Sequence, residues 1–288
     1  MTIRSVRRRD PAYPPLLAAI HDPPPMLWLR GEGDSSLLAH PAVAIVGARR
    51  CSAYGRVVAR SLARELAAAG LVIVSGLARG IDGEAHRGAL EAGGTTVAVL
   101  GCGVDRDYPR AHADLAKQIS VSGLVVSEYE RGVEPAPWRF PARNRIIAGL
   151  CAATVVVEAR ERSGALITSD FALEAGREVM AVPGEITSAL SSGTNALLRL
   201  GAPPVTSAAD VLETFGIEPR EPRKPSPADI QGPSGDVLER LGEESLSVDE
   251  LARETALAPG EIAAALMELE LAGLVSMDDG VYRRTIVQ

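Results

Sequence analysis

Six short apolar runs constrain the fold more than any other feature of this 288-residue chain. They are "AVAIVG" (42–47), "LVIVSG" (71–76), "TTVAVLG" (95–101), "LVVSEY" (124–129), "ATVVVEA" (153–159) and "EVMAVPG" (178–184). Each is rich in valine and apolar at nearly every position, as strands buried on both faces must be. Between them lie amphipathic patterns of helical period, such as "YGRVVARSLARELAAAG" and "DGEAHRGALEAGG", the second opening at a capping candidate, Asp82. Strand and helix repeated in this way predict an α/β domain, an extended Rossmann-like parallel sheet with helices on both faces.

The remainder of the chain sorts around that domain. Residues 1–41 carry proline pairs and a triple and read as an extended lead-in that packs through Leu27, Trp28 and Leu29. The α/β domain is expected over 42–217, and a Pro-rich, charged stretch without periodicity, 218–236, reads as a linker. Residues 237–288 give helix, short helix, turn, helix and a strand pair turning at "DDG", the pattern of a small winged-helix domain.

Charge is unevenly spread. Residues 235–288 hold twelve Asp or Glu against four Arg, a net −8, so the chain total of −7 leaves the other 234 residues at +1. The recognition-helix candidate "PGEIAAALMELELAG" has no Lys or Arg and carries Glu261, Glu268 and Glu270. A duplex backbone would repel it, so the tail reads as a protein-contact module. No run is long enough to cross a bilayer, and no apolar segment follows the arginines near residue 7. The three cysteines are far apart and odd in number, which fits a reducing, cytoplasmic setting.

In an open parallel sheet, ligands bind beyond the carboxyl ends of the strands. The residues there are unusual. "VAIVGARRCSAYG" starts as a dinucleotide site would, but puts Arg49 and Arg50 where a pyrophosphate needs glycines. Later runs are followed by Arg79, by Arg106 and Tyr108, by Phe140, Arg143, Asn144 and Arg145 in "FPARNR", and by Arg160, Arg162, Ser163 and Gly164. Arginine forks and free N–H groups at helix starts both bind phosphate oxygens. So many arginines along one rim exceed the needs of one dinucleotide and suit a polymer with a phosphate at each step. Phe140 either offers a base a stacking face or anchors its loop. No histidine pair, metal motif or Walker lysine is present; Glu128 and Glu158 read as partners of the rim arginines, and His86 as a helix residue bonded to a neighbouring loop.

Eight ordered stretches, among them "VAIVGARRCSAYG", "VSGLARGIDGEAHRGAL", "FPARNRIIAGL", "VVVEARERSGALIT" and "SSGTNALLRLGA", resemble the DNA-processing protein A (DprA/Smf) family. The resemblance implies a homodimeric single-stranded DNA-binding recombination mediator without a catalysed reaction or cofactor. It implies that the protein protects incoming strands in natural transformation, displaces single-strand binding protein and loads the RecA recombinase. By motif position it puts DNA contacts at Arg49, Arg50, Phe140, Arg143 and Arg145. Arg79, Asn144, Ser163 and Gly164 complete the expected site from their place on the rim. The alternative is a Rossmann-like small-nucleotide hydrolase. Such enzymes use a "PGGxGTxxE" turn, where this chain has "PGEITSALSSGTN".

Overall fold

The computed structural model describes residues 3–218, 230, 232–242, 245–255, 257–271, 274–278 and 280–284. The chain divides into two compact units, 1–219 and 220–288. The first contains strands β1 (Ile3–Arg7), β2 (Met26–Arg30), β3 (Ala42–Val46), β4 (Val72–Ser75), β5 (Thr96–Val99), β6 (Leu124–Ser127), β7 (Ala153–Val156) and β8 (Glu178–Ala181). Its helices are α1 (Pro15–Ala18), α2 (Ala53–Ala68), α3 (Ile81–Glu91), α4 (Ala113–Ser122), α5 (Arg139–Gly149), α6 (Gly164–Glu174), α7 (Ser192–Arg199) and α8 (Ala208–Thr214).

The eight strands form one sheet in the order β1-β2-β6-β5-β4-β3-β7-β8. From β6 to β8 all pairings are parallel, with Ala44 opposite Val74 on one side of β3 and Thr154 on the other. Strands β3 to β7 are buried at every position, the outcome expected for valine-rich runs. Val43, Ile45, Ile73 and Val155 face α2, α3 and α8, while α4 covers Ala98 and Val125 on the same side. Val46, Val74, Val97 and Val126 face α5 through Ile146 and Ile147. The sheet is therefore the middle of three layers.

The segment read as an extended lead-in joins the sheet. β2 pairs antiparallel with β6, Leu29 opposite Val126, and β1 pairs antiparallel with β2. The prolines sit outside both strands, so they interrupt the segment without removing a ladder hydrogen bond. Leu27 and Leu29 are fully buried against the α5 side of the sheet.

The second unit holds α9 (Pro233–Leu241), β9 (Leu246–Ser247), α10 (Val248–Glu254), α11 (Pro259–Leu271), β10 (Val275–Asp278) and β11 (Val281–Arg284). Its three strands pair in the order β10-β11-β9, and Val237, Leu241, Leu251, Ile262 and Leu269 form its core. Glu261, Glu268 and Glu270 lie on the exposed side of α11. Of the segment read as a linker, 219–229 and 231 lie outside the described residues, and 233–236 open α9.

His86 illustrates how completely the first unit closes. It is fully buried on α3, and its Nδ1 lies 2.6 Å from Thr96 Oγ1 on β5 rather than on a loop. The threonine hydroxyl donates to the Ile73 carbonyl, so His86 Nδ1 donates its proton to the hydroxyl oxygen. Burial, with the charges of His112 and Arg143 acting in the same direction, pushes its pKa from 6.5 down to about 3. The unfolded chain therefore takes up a proton first. Stability is fully present above pH 6.5 and falls as pH drops toward 3, by about 2 kcal/mol between pH 7 and pH 5. Urea unfolding across this range should show that slope, and His86→Gln should flatten it.

Candidate nucleic-acid interface

The order of strands reverses at β3: β4 to β6 lie on one side, β7 and β8 on the other. A crevice opens beyond the carboxyl ends at such a point. Here it is a cavity of about 400 Å³ lined by Gly47, Arg49, Arg50, Phe140, Arg143, Asn144, Arg160, Arg162, Ser163 and Gly164, among others. A second cavity, of about 600 Å³, shares Arg49, Arg50, Phe140 and Arg143 and adds Arg79, Tyr108 and Arg110. The two form one path over the strand ends.

The glycine of "VGARR" serves packing. A Cβ on Gly47 would stand 2.6 Å from Ile81 Cγ1 and 2.9 Å from the Glu158 carbonyl. The α2 N-terminus, where a dinucleotide fold seats its pyrophosphate, holds Glu158 instead. This side chain, 4% exposed at the end of β7, accepts from Ser52 N at 2.9 Å and from Ser52 Oγ at 2.5 Å. Ser52 in turn caps the helix, accepting from Gly55 N at 3.0 Å. The protein's own carboxylate thus satisfies that helix end. Glu158 was expected to pair with a rim arginine; only Glu128 does so, gripping Arg145 through two bonds of 2.7 Å.

The residues of "FPARNR" divide their work because they lie on a helix, which starts at Arg139. Phe140 stacks on Tyr108, ring centres 5.2 Å apart, with the Arg49 guanidinium 5.4 Å above it. Arg143 turns inward and is 4% exposed. Its guanidinium donates to the Gly76 carbonyl at 2.7 Å and to the Val99 carbonyl, and stands 4.0 Å from the Asp82 carboxylate. Burial lowers the Arg143 pKa to about 10, against the pull of Asp82, and raises that of Asp82. Asn144 bolts α5 to α6, accepting from Arg143 Nε at 3.1 Å and donating to the Gly164 carbonyl at 3.0 Å. Arg145 points away from both cavities, held by Glu128 and by Asp22 at 3.1 Å.

The loop after β4 is built around this strut. Asp82 accepts from Gly76 N and Ala78 N instead of capping α3, whose N-cap is Gly80 at φ 77°. A Cβ at Gly80 would run into the Ala48 carbonyl. Leu77, buried, holds the left-handed region at φ 58°, and its carbonyl takes a 2.9 Å bond from His112 Nδ1. The loop that carries Arg79 is thereby fixed.

What lies above these supports is bare cation. Arg49, Arg50, Arg79, Arg110, Arg160 and Arg162 are all exposed and line the two cavities. None enters an ion pair among the described residues, whereas Arg60, Arg87, Arg106 and Arg145 each do. Ser163 caps α6 beside them, and Gly164 and Ala165 bring that helix start to the cavity wall. Of the expected residues the structure brings Arg49, Arg50, Phe140, Arg143, Asn144, Ser163 and Gly164 to one cavity, Arg79 to its neighbour and Arg145 to neither. Arg110, well after its strand and close to the path only through the fold, was not anticipated from the sequence. Among the described residues no group of three or more His, Cys, Asp or Glu could hold a metal ion, and no helix is long and apolar enough to cross a membrane.

The fold and this rim define a Rossmann-like protein with an arginine-lined crevice and a winged-helix unit. Comparison with known proteins narrows the class. Residues 4–216 match the DNA recombination-mediator protein A family, and residues 221–280 match the DprA winged helix domain. The chain belongs to the DprA/Smf family. It is 49% identical over 210 residues to the DNA processing protein DprA of Streptococcus pneumoniae, covering 72% of each chain. It is 41% identical over 281 residues to protein Smf of Escherichia coli, covering 94% of this chain and 75% of that one. Among solved structures, DprA of S. pneumoniae superposes with a TM-score of 0.70 at 46% identity over 74% of each chain. DNA processing protein A of Helicobacter pylori, studied for its single-stranded DNA binding mode, gives 0.67 at 31% identity over 75% of this chain and 96% of that one.

Arg143→Ala would leave Asp82 as an uncompensated buried charge and free two carbonyls, at a cost of about 3–5 kcal/mol. Arg49→Ala, at an exposed position, should stay within about 0.5 kcal/mol of the parent. Urea unfolding of the two variants separates the strut from the surface cation.

Proposed function

We propose that this protein binds single-stranded DNA along the arginine rim and acts as a recombination mediator. In this reading it carries out no reaction on the strand. It protects incoming DNA during natural transformation, displaces single-strand binding protein and loads RecA. The observation that supports the reading best is the group of six exposed arginines, without carboxylate partners among the described residues, spread over two adjoining cavities. Like charges gathered in this way repel one another until an anion arrives. A path two cavities long suits a phosphodiester chain better than one small nucleotide. Arg49, Arg50, Arg79, Arg110, Arg160 and Arg162 take phosphates, Ser163 and Gly164 add helix N–H groups, and Phe140 offers a base its face. Arg143, Asn144 and Arg145 hold these groups in place.

Two copies in a homodimer would place two rims on one strand and raise avidity. The acidic face of α11 suits a protein contact, and we assign RecA contact or regulation to the winged-helix unit before duplex binding. The working compartment is the cytoplasm, where RecA and single-strand binding protein act.

Fluorescence anisotropy of labelled oligo-dT across a salt series tests the reading. Each neutralised phosphate contributes about −0.7 to the slope of log K against log salt. Arg50→Ala and Arg162→Ala should each flatten the slope by roughly that amount and weaken all sequences alike, because phosphate contacts carry no base information. Displacement of the oligonucleotide by AMP, with release of free base, would support the small-nucleotide hydrolase instead.

A further inference from the structure

Beside the rim, at the same helix start, stands a second aromatic–arginine stack. Trp138 is the N-cap residue of α5 and is 63% exposed. One face of its ring lies on the Arg139 guanidinium, 4.9 Å away, and that guanidinium also sits 5.0 Å from the Tyr129 ring centre. Tyr129 and Trp138 meet edge to face, centres 6.5 Å apart at 86°. Arg139 donates to the Glu134 carbonyl, which fixes the guanidinium between the rings. A single exposed tryptophan is ordinary on a protein surface. This one is held in orientation from below and presents its open side to solvent.

Two features point to a base as its ligand. Trp138 is two residues from Phe140, whose own stack with Tyr108 and Arg49 forms the wall of the rim. The two platforms therefore lie within reach of nearby nucleotides of one strand. Two acidic residues beside the platform are also paired with arginines, and a third is hydrogen-bonded. Glu134 pairs with Arg106 at 2.9 Å, Glu128 with Arg145 at 2.7 Å, and Asp105 accepts from Gly132 N at 3.0 Å. A polyanion can approach without meeting uncompensated charge at Glu134 or Glu128.

We propose that Trp138, backed by Arg139 and Tyr129, is a second stacking platform that takes a base of the bound strand just outside the arginine rim. It rests on the single-stranded DNA reading and extends the track beyond the cavities. Stacking is sequence-tolerant because every base has a π face, so the platform adds affinity without base preference.

The chain has two tryptophans, which makes the test direct. In the full-length Trp28→Phe protein, Trp138 is the sole indole, and its emission should be quenched as unlabelled oligo-dT is added. By anisotropy, Trp138→Ala should weaken labelled oligo-dT about tenfold, the lower part of the range for one stacked base. It should leave an abasic oligonucleotide of equal length almost unaffected, and Trp138→Phe should recover most of the loss. Equal losses on oligo-dT and abasic strands, or wild-type affinity in Trp138→Ala with unchanged indole emission, would overturn the platform and leave the rim reading intact. Failure of the parent protein to bind oligo-dT at low salt would overturn both.

Discussion

The guanidinium of Arg143 is the point on which the ligand face depends. It reaches from the second turn of α5 to the carbonyls of Gly76 and Val99, at the ends of β4 and β5, and to the carboxylate of Asp82 on α3. Burying that ion pair carries a desolvation cost that its attraction alone offsets only in part. The two carbonyls and the two backbone N–H groups on Asp82 supply the remainder. No ordinary hydrophobic contact could fix two strand ends and a helix at once with this directionality. The size of the side chain also explains Gly76: a Cβ there would occupy the space of the guanidinium.

With that strut in place, the cations above it can afford to be unpaired. Folding aligns the loops after β3, β4 and β7 and the start of α5, and each contributes exposed arginines or an aromatic ring to one path. Elsewhere on the same unit some arginines are held by carboxylates, as Arg60 is by Glu84 at 2.7 Å. What sets the rim arginines apart is their gathering on one path over the strand ends.

Much of this was legible in the sequence, for clear reasons. Double-sided burial leaves an unmistakable mark, so the six parallel strands could be placed from their valines. Substitution of Arg49 and Arg50 for glycines signalled a rim of cations. What sequence could not convey was which polar residue faces which. Arg143 and Arg145 are both rim candidates in "FPARNR", yet one is a buried strut and the other is clamped by Glu128, because both sit on a helix that begins at Arg139 and turns them to different sides. Glu158 ends a strand as Glu128 does, but its neighbour is a helix start instead of a guanidinium. β1 and β2 were hidden by their prolines, which punctuate the segment without entering its strands.

Glu158 at the head of α2 has a consequence for how such a protein lives among metabolites. A nucleotide entering there would have to evict a buried carboxylate that already holds Ser52 twice. The helix end that so many Rossmann-like proteins lend to a cofactor is thus permanently occupied from within. Energy charge and redox state, which reach other proteins of this architecture through that position, meet a carboxylate there in this one.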